Sequence, residues 1–172
     1  MHAIAGEGVT LEPQLASHAA ELYAVISDPS LYTFIDNKAP ASETALRERL
    51  ARLESRRSPD GTEHWLNWVV RNAAGEVVGY VQATVTPDHA AEIAYVLGRA
   101  HWRRGYAFAA CAAMIGELRR TYGVTRLTAT LDPDNMASLA LLRKLGLGLA
   151  WTNAAEQEVG YVLDLPDTTS VA

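Results

Sequence analysis

Hydrophobic and polar positions change period near residue 64. Before it, a short alternation at Val9-Thr10-Leu11-Glu12-Pro13 predicts a strand, and helical spacing follows from about Leu15 to Ile26, stopped at Asp28-Pro29. Ser42 stands as an N-cap ahead of Leu46, Leu50 and Leu53, and Ser58-Pro59-Asp60-Gly61 closes that second helix. From His64 the period is two. Leu66, Trp68 and Val70 share one face of a strand. After a break at Asn72 to Glu76, Val77, Gly79, Val81, Ala83 and Val85 alternate with Tyr80, Gln82, Thr84 and Thr86. Pro87-Asp88-His89 then turns the chain into a third strand, Ala91 to Leu97, which completes an antiparallel meander.

The helical period returns at Gly105 to Tyr122, with Phe108, Cys111, Ala112, Ile115 and Leu118 on one stripe and Gly123 as the stop. Val124 to Leu131 alternates again. A further helix, capped by Asp134 or Asn135, runs to about Leu145 and ends at Gly146. Leu147 to Thr152 and Gln157 to Leu165 are the last strands. A strand–helix–strand crossover puts Ala91–Leu97 and Val124–Leu131 side by side and parallel. The pattern predicts an α/β fold of about seven strands, with a mixed sheet and helices on both faces. No repeat or linker divides it, so residues 1–172 are expected to form one domain.

Composition narrows the function. Fifteen basic against 20 acidic residues give a net charge of −5, which disfavours a general nucleic-acid binder. The uncharged run Gly105 to Gly116 is too short to cross a bilayer, and the first residues lack a signal-peptide pattern. One cysteine, Cys111, allows no internal disulfide, and the five histidines lack metal-ligand spacing. No metal is expected, and a reducing, cytoplasmic location is the default. Against this acidic background Arg99, His101, Arg103 and Arg104 form a basic island.

The island sits where a strand ends and a helix begins. The free N–H groups and dipole of a helix start favour an anion, Gly105 permits close backbone approach, Ala107 keeps the next position small, and Arg103 and Arg104 can bind phosphate oxygens. The loop matches neither a P-loop nor a dinucleotide fingerprint. A solvated basic turn is the alternative to an anion site. Asn135 and Ser138 fall at the start of the following helix, at the same edge of the parallel pair, where ligands of open α/β sheets gather.

Together Ala91-Glu92-Ile93-Ala94-Tyr95-Val96-Leu97, Trp102-Arg103-Arg104-Gly105-Tyr106-Ala107, and Asn135-x-x-Ser138 ending in Lys144-Leu145-Gly146-Leu147 resemble the GNAT superfamily of acyl-CoA-dependent N-acyltransferases. They are most similar to its branch of ribosomal-protein N-terminal acetyltransferases. The resemblance centres on about residues 91–147 and implies a splayed parallel strand pair, with acetyl-CoA as acyl donor. The family's pyrophosphate loop, Gln/Arg-x-x-Gly-x-Gly/Ala, falls on Trp102 to Ala107, with Arg103 where a second glycine is common. The resemblance implies that Arg103, Arg104, Gly105, Tyr106 and Ala107 hold the phosphates and that backbone groups around Val96 and Leu97 pair with pantetheine. It places Asn135 and Ser138 beside the pantetheine and the thiol.

An amine must lose a proton before it attacks a thioester, which calls for a general base. Glu92 matches the branch's acidic position in Glu-Ile-Gly-Tyr, where Ala94 replaces the glycine; an outward strand glutamate is the plainer alternative. A backbone N–H near Val96 or Leu97 is the expected oxyanion donor. Many relatives carry a tyrosine at the place of Leu142, so Ser138 becomes the matching candidate for the thiol-side donor, with helix capping or cofactor positioning as its other role. Tyr95 and Tyr106 could donate as well, although Tyr95 is expected to pack against the sheet. Cys111 reads as a buried small hydrophobe. The expected acceptor is the amine of a small molecule, peptide or protein N-terminus, and Asp36, in the segment Leu31 to Lys38, could attract its charge. Leu147 to Leu165 could offer an edge for a homodimer. A catalytically silent acyl-CoA sensor or partner module is the alternative function.

Overall fold

Eight strands form one sheet in a computed structural model that describes residues 1–35 and 37–166. They are β1 (Ile4–Gly6), β2 (Val9–Pro13), β3 (His64–Asn72), β4 (Val77–Val85), β5 (Ala90–Leu97), β6 (Arg126–Leu131), β7 (Gly148–Asn153) and β8 (Glu158–Asp164). Their order across the sheet is β1-β2-β3-β4-β5-β6-β8-β7. Every neighbouring pair is antiparallel except β5 and β6, the parallel pair that the crossover predicts. The strand beyond the expected seven is β1, three residues too short to show a period and held by its pairing with β2.

Four α-helices cover the sheet: α1 (Ala19–Ile26), α2 (Glu43–Leu53), α3 (Tyr106–Tyr122) and α4 (Met136–Lys144). Helices α3 and α4 close one face, where Cys111, Met114, Leu118, Leu139 and Leu142 pack on Leu66, Trp68, Val81, Ile93 and Leu127. On the other face Leu22, Ile26, Leu46 and Leu50 pack on Val69, Tyr80 and Val96. That second core stops at β5. The sheet is therefore covered on both faces at β3 and β4 but exposes Glu92, Ala94 and Thr130 on the side of α1 and α2.

Local chemistry sets the boundaries. The Ser42 hydroxyl caps α2 by accepting from the Ala45 N–H at 3.1 Å, as expected. The segment from Leu15 enters α1 through a 3-10 turn, Ala16–His18, before the α-helix proper. β6 starts two residues later than its alternation suggests, because the Val124 N–H bonds to the Leu118 carbonyl and the Thr125 N–H to the His89 carbonyl.

Two patterns differ from the sequence reading. On α3 the buried positions are Ala110, Cys111, Met114, Glu117 and Leu118, while Ala112 is exposed, so the stripe is rotated from the expected one. On β4 the register slips between Val70↔Gly79 and Arg71↔Val77, a bulge that shifts the parity and puts Val77 in the core of Tyr80 and Val78 in the core of Val81. The strict alternation expected from Val77 therefore holds only from Gly79 onward.

Candidate active site

β4 binds β5 along its length, from Gly79↔Leu97 to Val85↔Ala91. On the other side β5 pairs with β6 only at Ala90↔Arg126, Ala91↔Leu127 and Glu92↔Thr128. Beyond Glu92 the two parallel strands part. In such a ladder alternate residues turn their N–H and C=O groups to opposite sides. The bonds from the Gly98 N–H to the Val78 carbonyl and from the Thr86 N–H to the Ala90 carbonyl turn the even-numbered residues of β5 toward β4. Ile93, Tyr95 and Leu97 thus present their backbone groups to the gap. Val96 faces β4 instead, and the Leu97 carbonyl accepts the Trp102 indole N–H at 2.8 Å. The Ile93 N–H still closes the last rung with Thr128, so the open groups are the Ile93 carbonyl, both groups of Tyr95 and the Leu97 N–H; of the expected Val96 and Leu97, only Leu97 faces the gap.

The gap opens into a cleft of ≈ 890 Å³. Its walls include Thr33 to Ile35, Tyr80, Glu92, Tyr95, Asn135 and Ser138. The structure thus brings Glu92, Val96, Asn135 and Ser138 to one cavity. It adds Asp132, Glu156 and Glu158, which the sequence reading did not single out as site residues. Asp36, the acceptor-side carboxylate considered above, lies outside the described residues.

At the end of β5 the chain makes a 3-10 turn over Arg99–His101 and an extended step at Trp102 before α3. Arg103 then takes φ 61° and Gly105 φ 82°. Glycine adopts such a left-handed conformation freely, whereas the side-chain-bearing Arg103 accepts it at a cost of about 1–3 kcal/mol. Gly105 is the N-cap of α3 and no side chain caps the helix, so the first-turn N–H groups at Tyr106 and Ala107 are open to a ligand. Arg103 and Arg104 are exposed and make no ion pair among the described residues. Arg99 stacks on Trp102, 5.4 Å from the ring centre, which braces the loop.

Asn135 has two roles. Its side chain caps α4 by accepting from the Ser138 N–H at 3.1 Å, and it also lines the cleft. The Tyr95 hydroxyl reaches the Ser138 carbonyl at 3.4 Å. Leu142, one turn along α4, is 1% exposed and supplies no hydroxyl to the cleft. Cys111 is fully buried, and desolvation pushes its thiol up to about 12, so it stays protonated and inert, in line with its sequence reading. No group of three or more His, Cys, Asp or Glu side chains that could hold a metal occurs among the described residues.

The family model of the acetyltransferase (GNAT) domain matches residues 9–148. The chain belongs to the GNAT acetyltransferase family. Among its GNAT relatives is the Bacillus licheniformis protein named "Uncharacterized N-acetyltransferase p20", 26% identical over 147 residues, covering 84% of this chain and 82% of that one. YkkB of Bacillus subtilis (strain 168) is 30% identical over 105 residues, and the match spans 50% of this chain and 60% of YkkB. The GNAT fold is equally plain among solved structures. RimL, the ribosomal L7/L12 alpha-N-protein acetyltransferase, in complex with coenzyme A superposes with a TM-score of 0.82 at 18% identity, covering 95% of this chain and 98% of RimL. Mycobacterium smegmatis RimJ with a CoA-disulfide gives a TM-score of 0.81 at 18% identity, covering 95% and 90%.

Proposed function

We propose that this GNAT chain moves an acetyl group from acetyl-CoA to an amine by direct attack in a ternary complex. The observation that carries the reading is the parting of β5 and β6 beyond Glu92, with a basic helix-start loop at one end and a carboxylate at the other. Coenzyme A fits the residues present. Its phosphates match the open N–H groups of Tyr106 and Ala107 with Arg103 and Arg104, and its pantetheine amides match the strand-like backbone groups of Ile93, Tyr95 and Leu97. Asn135 and Ser138 border the inner end of that path. The cofactor-binding core is then about residues 91–147, within a domain that takes in the whole sheet.

Glu92 stands where the strands part, exposed to the cleft and without a hydrogen-bond or ion-pair partner among the described residues, as a base must be to reach an incoming amine. The cleft's carboxylates, Glu92, Asp132, Glu156 and Glu158, suit an acceptor that arrives as a cation. A small-molecule amine, a peptide and a protein N-terminus all meet this description. The likeness to RimL favours testing the last two first. No helix among the described residues is long and apolar enough to cross a membrane.

Two measurements test the reading. CoA should raise the melting temperature, since a ligand of the folded state alone stabilises it. Acetyl-CoA with a panel of polyamines, amino acids and peptides should release free thiol in step with one amine class. A thermal shift without turnover would leave an acyl-CoA-binding module, and no shift would remove the cofactor assignment.

Charge reversal at the loop gives a sharper result. Arg103→Glu with Arg104→Glu should weaken CoA by about 10- to 100-fold, as expected when charge-assisted contacts are lost from an exposed site. Pantetheine, which lacks the phosphates, should bind both proteins alike. Calorimetry at fixed salt reads the difference, and an equal loss for both ligands would take the phosphates away from these arginines.

A further inference from the structure

Glu92 and Tyr95 leave β5 on opposite faces of the sheet. Glu92 lies on the side of Tyr80 and Val96, the face that α1 and α2 cover only in part. Tyr95 lies on the side of Ile93 and Leu97 and packs toward α4. Both nevertheless line one cleft, because the sheet opens between β5 and β6 just beyond Glu92. A group seated in that gap is reached by a carboxylate from one face and a phenol from the other. Acyl transfer asks for such an arrangement, since the incoming nitrogen and the departing sulfur occupy different corners of the same carbon and need different partners.

We propose that the Tyr95 hydroxyl donates a hydrogen bond to the sulfur as the thiolate leaves, which makes Tyr95 a catalytic residue of the transfer proposed above, on which this inference rests. Two observations support it, and donor chemistry favours it over the nearest rival. The hydroxyl's one contact, to the Ser138 carbonyl, is 3.4 Å long, well beyond the usual 2.7–2.8 Å, so its proton is free to turn to a ligand. Helix α4 offers no competing hydroxyl one turn on, because Leu142 is buried in the core there. The Ser138 hydroxyl is the nearest rival, but an alkyl hydroxyl is a weaker donor than a phenol.

Burial raises the Tyr95 phenol above its ordinary value, so it keeps its proton at working pH and acts as a donor rather than as an acid. The balance follows. The C–N bond forms and the C–S bond breaks, the sulfur leaves with the electron pair as a thiolate, and water protonates it. The proton lost by the nitrogen departs through Glu92 to solvent. The phenol is neutral before and after.

Tyr95→Phe in the full-length protein tests this, with acetyl-CoA and the amine that supports wild-type turnover. Phenylalanine keeps the ring and its packing. The rate constant kcat should fall by about 10- to 100-fold, less than the loss of an oxyanion donor because a thiolate departs readily. KM for acetyl-CoA should stay within about twofold and the CoA-induced thermal shift should be unchanged, which a packing defect would not allow. Ser138→Ala should cost kcat less than Tyr95→Phe. Wild-type kcat in Tyr95→Phe, a loss shared between kcat and KM, or a larger kcat loss in Ser138→Ala would each overturn the assignment. Absence of wild-type turnover would overturn the acetyltransferase reading itself, and this inference with it.

Discussion

Glu92→Gln should lower kcat by about 100-fold and leave acetyl-CoA binding within about twofold of wild type, the size expected when a general base is removed without disturbing the ground state. The substitution keeps the shape of the side chain and exchanges a charged acceptor for a neutral amide. Glu92 is exposed, and no bond to it helps hold the fold among the described residues, so the unfolding midpoint should not move. Its place is fixed by backbone alone: it pairs with Thr84 on β4 and is the last β5 residue paired with β6, at Thr128. The side chain therefore rises at the edge of the gap, on the face that α1 and α2 leave open. A wild-type rate in Glu92→Gln would make it an ordinary outward strand residue and return the base role to water or another cleft carboxylate.

Much of this geometry was legible in the sequence, for identifiable reasons. The meander from His64 to Leu97 shows itself because its strands are long enough to display a period, and the parallel β5–β6 pair follows from the crossover rule with no side-chain argument. The loop at Trp102 to Ala107 is legible from its basic residues and from Gly105, whose left-handed conformation at the start of α3 favours glycine. What escaped depends on contacts between distant segments. The bulge at Val78 that interrupts the alternation of β4 is set by pairing with β3, and the use of the Leu97 carbonyl by Trp102 depends on how the loop folds back. Glu156 and Glu158 reach the cleft from the β7–β8 hairpin, whose sequence carries no chemical signature. The separation of Glu92 and Tyr95 onto opposite faces was implicit in their spacing of three. It acquires meaning only once the sheet is seen to open beside them.

Gly79→Ala should be the most destabilising of these substitutions. Gly79 has φ 153°, and a Cβ there would lie 2.2 Å from the Val96 carbonyl oxygen and 2.8 Å from the Leu97 Cα. Both are backbone atoms of β5, so no side-chain rotation relieves the contact, and the strands must separate where the bulge of β4 meets the end of β5. Backbone strain and overpacking together cost about 2–5 kcal/mol, read as a lower midpoint in urea. Gly148→Ala is the matched control, since nothing lies within 4 Å of its added Cβ, and its midpoint should stay near wild type. The consequence for function follows from position. Leu97 lies opposite Gly79, and the backbone groups that face the gap at Tyr95 and Leu97 are held in place by β4 alone, since β6 has already parted from β5. Shifting this end of β5 should therefore weaken CoA even at temperatures where the variant remains folded, whereas a purely global destabilisation would leave its affinity intact below the melting transition. An unchanged midpoint and unchanged CoA affinity in Gly79→Ala would show that β4 does not set the position of the open strand.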